Sequence, residues 1–274
     1  MTPTTREAAD AGSDGGPGPL RLAYQSFGQV AGMEAYQGRL EEIVRAASPE
    51  SALRILRLPS TIVAGKGFAS AQALDVPALL RSIAGAVDGG VEAVAVGNGF
   101  DPGLWEAREL FDIPVLGMFE TVAAYGLRVG WRLGVLCSGN SGVARVEELA
   151  ARYGIGSRLV RPAAAGVRVP DVVAGFGDPQ IAERVLEAAR RSVAVLAERG
   201  ADVVMVASGA LDVFLASSGR PDVGLPVLPS VTILVRELEA AAGLARLGVP
   251  FVSRAGRFAS PPPEILTSLR RAPD

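Results

Sequence analysis

Short apolar runs rich in β-branched residues alternate along the chain with longer stretches whose apolar positions recur every three or four residues. The short runs predict strands over residues 20–26, 53–58, 92–97, 114–117, 132–137, 158–162, 202–207 and 226–229. Most are apolar on both faces, as in a parallel sheet covered from both sides. The longer stretches predict helices over 31–47, 75–88, 103–111, 119–128, 141–153, 178–199, 210–218, 231–247 and 262–270. Asp75-Val76-Pro77 and Asp178-Pro179 supply start signals, an acidic cap beside an early proline. Strand–helix alternation of this kind predicts right-handed βαβ units and doubly wound sheets.

The pattern also repeats itself. Residues 88–99 read DGGVEAVAVGNG and residues 198–209 read ERGADVVMVASG, at an offset of 110. Ile113-Pro114-Val115-Leu116 is echoed by Leu225-Pro226-Val227-Leu228, and Arg21-Leu22-Ala23 by Arg132-Leu133-Gly134. A duplicated half follows. The expected architecture is α/β: two pseudo-symmetric, flavodoxin-like doubly wound lobes with the active cleft between them. Residues 20–117 plus 231–274 form lobe one, and residues 118–230 form lobe two. Residues 1–19, rich in Thr, Gly, Asp and Pro and without an apolar run, read as a disordered tail.

Composition narrows the chemistry. The formal charge is −2 with no Lys/Arg block, which argues against nucleic acid and anionic membrane as partners. No run of 18 apolar residues is present, so no membrane span is expected. A single cysteine and no histidine exclude a Ser-His-Asp triad and the common zinc sites. The lone Cys137 suits a cytoplasmic protein.

In open parallel sheets ligands sit beyond the carboxyl ends of the strands. Those ends carry Gln25-Ser26-Phe27, Gly97-Asn98-Gly99, Cys137-Ser138-Gly139-Asn140 and Ala207-Ser208-Gly209. Asn98 and Ser208 occupy matching places in the two copies, so they face each other as candidate donors to a carbonyl or carboxylate; the alternative is a degenerate pocket filled with small polar groups. Ser26, Gly99, Ser138, Gly139, Asn140, Ser141 and Gly209 complete the candidate binding set, with Ser138, Asn140 and Ser141 also reading as an ordinary helix cap. Tyr24 and Tyr125 each offer a phenol, or simply pack. Cys137 reads as a core residue or as a relocated thiol. Lys66, in Ala64-Gly65-Lys66-Gly67-Phe68, reads as a partner or base for a carboxylate, or as a solvated loop lysine.

The order of Asp101-Pro102-Gly103-Leu104, Ala107-Arg108-Glu109-Leu110, Ile113-Pro114-Val115-Leu116-Gly117 and Glu120, then Leu225-Pro226-Val227-Leu228 and Ser253-Arg254-Ala255-Gly256-Arg257-Phe258, resembles the aspartate/glutamate/hydantoin racemase superfamily. The hydantoin and allantoin racemase branch is the most similar. The resemblance implies cofactor-independent proton transfer by two thiols, one per lobe, and a plausible homodimer. The positions of those thiols here are Asn98 and Ser208. An amide is no base, and a serine hydroxyl needs one beside it. The resemblance therefore implies an altered, cysteine-free chemistry on a small carboxylate or cyclic ureide, with no cofactor. An enolate-like intermediate would serve isomerization, elimination or decarboxylation. A rerouted racemase and a non-catalytic binder of a small acid are the alternatives. Glu120, Asp101 and Asp212 become candidate carboxylate bases; Asp101 also reads as the cap of the helix that follows through Pro102, and Glu120 as a group that orients the pocket or caps its own helix.

Overall fold

The structure is a computed structural model that describes residues 18–29, 32–59, 68–220, 222 and 224–271. Lys66 and nearly all of the expected tail lie outside the described residues.

The first sheet joins β1 (Arg21–Gln29), β2 (Ala52–Pro59), β3 (Ala93–Val96) and β4 (Val115–Gly117) in the order β2-β1-β3-β4, all parallel. The second joins β5 (Leu133–Cys137), β6 (Ala163–Ala164) and β7 (Val203–Val206) in the order β6-β5-β7, also parallel. Val227 adds a parallel bridge to Val204 on the far side of β7. The same strand order therefore recurs in both halves.

The duplication extends to single hydrogen bonds. In the first half the Glu92 N–H donates to the Arg21 carbonyl at 2.7 Å, and in the second the Asp202 N–H donates to Arg132 at 3.0 Å. The Val94 N–H reaches the Pro114 carbonyl at 3.0 Å, and the Val204 N–H reaches Pro226 at 2.9 Å.

Side chains of the first sheet alternate strictly between two cores. Leu22, Tyr24, Ala93 and Ala95 point into a core shared with the second half. Ala23, Val94 and Val96 point into a second core with Leu79, Ile83, Leu104 and Phe111. Helices α2 (Ala69–Asp88) and α3 (Leu104–Leu110) cover that second face. Helices α1 (Glu34–Ala47) and α4 (Met118–Val129) cover the first, together with a late helix, Ser230–Arg246, that returns to β1 and β3. Around the second sheet lie α5 (Ser141–Arg152), α6 (Val169–Ala174), α7 (Pro179–Glu198) and α8 (Gly209–Ser218); the returning helix is α9, and α10 (Pro263–Arg271) rests on α2. No helix among the described residues is long and apolar enough to cross a membrane.

Several boundaries differ from the sequence reading. Asp178 caps α7 as expected, accepting from the Gln180 and Ile181 N–H groups at 2.8 and 3.2 Å. Asp75-Val76-Pro77 starts nothing: α2 begins at Ala69 and carries Pro77 in its interior. The Ala-rich turn upstream propagates the helix, and a proline's missing N–H interrupts only one rung. The strand expected at 158–162 is instead a 3₁₀ turn, Gly156–Arg158, followed by β6 starting at Ala163, five residues after the expected start; Pro162 has no N–H to give a ladder. The strand expected at 226–229 shrinks to the single bridge of Val227 to Val204, because the flanking Pro226 and Pro229 have no N–H to extend the ladder. Helix α6 was not anticipated.

Candidate functional site

A cavity of about 240 Å³ opens where the carboxyl ends of the two sheets meet. Its polar wall is Asn98, Ser138, Ser141 and Ser208 with Gly97, Gly99, Gly139 and Gly209. Its apolar wall includes Phe27, Met33, Phe68, Phe100, Val167 and Val169. Tyr36 and Arg168 are the titratable groups on the described lining.

The two strand-end loops touch through Gly99. A Cβ built there would lie 2.4 Å from the Ala207 carbonyl carbon, so only hydrogen fits between the two backbones. This contact holds Asn98 and Ser208 at the same end of the cleft. Asn98 is buried, and its Oδ1 accepts the Phe100 N–H at 3.0 Å, fixing the amide plane. Its Nδ2 group bonds to no described residue and is left to donate. Ser208 is the N-cap of α8: its Oγ accepts from Leu211 N–H at 3.4 Å and from the Ser138 hydroxyl at 2.8 Å. With both acceptor sites used, its own O–H remains to donate into the cavity. The α8 N-terminus adds a positive dipole end.

Behind this surface each half carries a buried aspartate in the same place. Asp101 accepts the Phe119 and Glu120 N–H groups at 2.8 and 2.9 Å. Asp212 accepts those of Ser230 and Val231 at 3.0 and 2.9 Å. Asp101 thus caps α4, not the helix that follows it through Pro102. It does so from a left-handed backbone, φ 46°, which aims the short carboxylate across the loop. Tyr153 donates a third hydrogen bond to Asp101 at 2.9 Å, whereas Arg220 pairs with Asp212 at 3.1 Å. Burial pushes the Asp101 carboxyl up to about 7 against the pull of its three donors. Burial likewise raises Asp212, offset by Arg220 and the two N–H groups.

The structure brings Asn98, Gly99, Ser138, Gly139, Ser141, Ser208 and Gly209 to the cavity. Of the other candidates among the described residues, none lines it. Glu120 is forked by Arg108 at 2.9 and 2.5 Å, off the lining, while Arg108 also holds the Val115 carbonyl at 3.0 Å. The pair ties α3 to α4, so Glu120 is no free base. Tyr24 lies under Gly97, its hydroxyl buried without a hydrogen-bond partner. Asn140 is exposed and makes no side-chain cap. Ser26 is buried beneath the surface, beside Tyr36. Tyr125 lies under Arg128, 4.8 Å from guanidinium to ring. Cys137 is a core residue whose thiol burial pushes up to about 12. Arg254, in the tail motif, caps the end of α3 through the carbonyls of Arg108, Glu109 and Phe111 at 2.8, 3.1 and 3.0 Å.

The family description Asp/Glu/Hydantoin racemase matches residues 31–238 of this chain. The chain belongs to the Asp/Glu/hydantoin racemase family. Among curated racemases of the family, a hydantoin racemase from Rhizobium meliloti is 30% identical over 172 residues, 63% of this chain and 69% of that protein. Allantoin racemase from Klebsiella pneumoniae shares the fold with a TM-score of 0.73 at 22% identity, covering 88% of this chain and 94% of that one. Glutamate racemase from Thermus thermophilus, in complex with β-chloro-D-alanine, does so at 0.58 and 18% identity, covering 92% and 91%. The paired strand ends of this racemase-family chain present amide and hydroxyl groups, where an acid–base pair would need titratable ones.

Proposed function

We propose that the chain is a cofactor-independent enzyme of this family acting on a small carboxylate or cyclic ureide through an enolate-like intermediate. The supporting observation is the convergence of unused donors from both halves, Asn98 Nδ2 and the Ser138–Ser208 hydroxyl pair, on one open cavity. Donors of this kind stabilise an oxyanion without themselves moving a proton. Lys66 is the group we assign to proton transfer, since Glu120 is engaged by Arg108. The family relation and the 30% identity to a hydantoin racemase favour isomerization over bond cleavage.

A second reading has its own support. No carboxylate, thiol or imidazole of the described residues lines the cavity. A protein that binds a small acid without changing it would look the same.

Proton NMR in D₂O separates the two. Amino acids, hydantoins, allantoin, maleate and aryl- or alkylmalonates are incubated with the protein. Loss of a Cα–H signal, or a new product, supports the enzyme. Line broadening of one compound with no chemical change supports the binder and refutes the enzyme.

A further inference from the structure

Tyr36 is the one phenol on the described lining, and nothing in the duplicated pattern accounts for it. Offsets of 110 to 112 place Val146, Glu147 and Glu148 opposite it, none of them aromatic. It projects from the first turn of α1, the helix of the first half that packs against α8 of the second. Two glycines lie against it, and Gly28 leaves it room. A Cβ at Gly28 would come within 3.3 Å of the Tyr36 ring, and one at Gly209 within 3.7 Å of its hydroxyl. That hydroxyl therefore stands at the N-terminus of α8, next to Ser208. The ring is almost wholly buried yet forms part of the cavity wall, with the Ser26 hydroxyl beside its oxygen. The other three tyrosines are elsewhere: Tyr24 lies under Gly97, Tyr153 is spent on Asp101, and Tyr125 is covered by Arg128.

We propose that Tyr36 is a ligand-contacting donor, its phenolic O–H hydrogen-bonding the negatively charged oxygen of the ligand at the α8 end of the cleft, alongside Ser208. The inference rests on the cleft being the small-acid site proposed above, and it assigns that site a donor supplied by one half only. Burial pushes the phenol up to about 12, so it keeps its proton at neutral pH and serves as a donor, not a base. A hydrogen bond from a neutral phenol to an anionic oxygen is among the stronger kinds, and its removal reads as about a tenfold loss of affinity.

The test uses the full chain with ¹³Cζ-labelled tyrosine, four signals in all. They are assigned through backbone connectivity, so that the reading does not depend on a variant folding. Hydantoin, allantoin and phenylmalonate are the probes. The expected result is that a probe showing saturable binding moves the Tyr36 signal, leaves Tyr125 and Tyr153 in place, and binds about tenfold more weakly to Tyr36→Phe. If Tyr36→Phe does not fold, the wild-type shift decides alone. A probe that binds while the Tyr36 signal stays fixed overturns this proposal and leaves the cleft reading intact. Failure of every probe to bind overturns both.

Discussion

The two halves of this molecule share one backbone plan and differ in what they attach to it. Each ends its third strand in a polar loop followed by glycine, and each buries an aspartate that caps the next long helix. The compensation around that aspartate differs. Asp212 has a guanidinium; Asp101 has a phenol and, among the described residues, no cation. The strand-end residues differ too, an amide on one side and a hydroxyl on the other. The backbone device is thus kept separate from the chemistry hung on it. A helix cap needs only an acceptor at the right place, while a reactive group must have the right acidity.

Restoring equality at the strand ends is the strongest way to probe that separation. Asn98→Cys with Ser208→Cys puts a thiol on each side of the cleft. Cα–H exchange in D₂O on hydantoins or amino acids should rise by about 10²–10⁴-fold, the range of positioned acid–base catalysis. Either single variant should give far less, since a two-sided transfer needs both groups. No gain from the pair would break the link between these positions and proton transfer.

The two aspartates come next. Asp212→Ala leaves the Arg220 charge and two N–H groups without their partner, at a cost of about 3–5 kcal/mol. Asp101→Ala orphans only neutral donors and should cost about 1–3 kcal/mol. Urea denaturation of both variants measures the gap; equal costs would mean that Arg220 contributes nothing specific.

The same contrast has a pH signature. In the unfolded chain an aspartate loses its proton near pH 4, whereas folded Asp101 holds it to about 7. Between those values the unfolded state is already ionised and the folded state is not. This residue's contribution to stability is therefore greatest below about pH 4 and falls as pH rises toward 7. Asp101→Asn should flatten that fall in a denaturation series from pH 4 to 8; an unchanged slope would place its origin elsewhere.

The smallest effect expected is at Ser208→Ala, which removes a long cap contact and the Ser138 bond. A loss of about 1 kcal/mol in denaturation is expected. A stability change near zero would mean that Ser208 is held only for its ligand.

Much of this was legible in the sequence because duplication doubles each signal. Paired offsets locate β3 and β7, and the apolar runs locate β1 and β5. Boundaries failed where proline altered the local rule, at Pro77, Pro162 and Pro226. At the site, Asn98 and Ser208 stood out because glycine flanks them at strand ends. Tyr36, Met33 and Phe100 did not, because a large apolar or aromatic side chain on a helix face or beside a strand end reads as core until the second half is folded against it. Glu120 misled for the opposite reason. It lies near the chemistry in sequence, but Arg108 claims it in space.

The Ser138–Ser208 pair has one more consequence. Two hydroxyls 2.8 Å apart own two protons and use one between them. With Ser138 donating, Ser208 keeps the spare; if both O–H bonds rotate, Ser138 keeps it instead. No heavy atom moves in the exchange. The cleft can therefore shift its donor by the length of one hydrogen bond, and ligands that place their oxygen at different depths can be met by the same rigid wall.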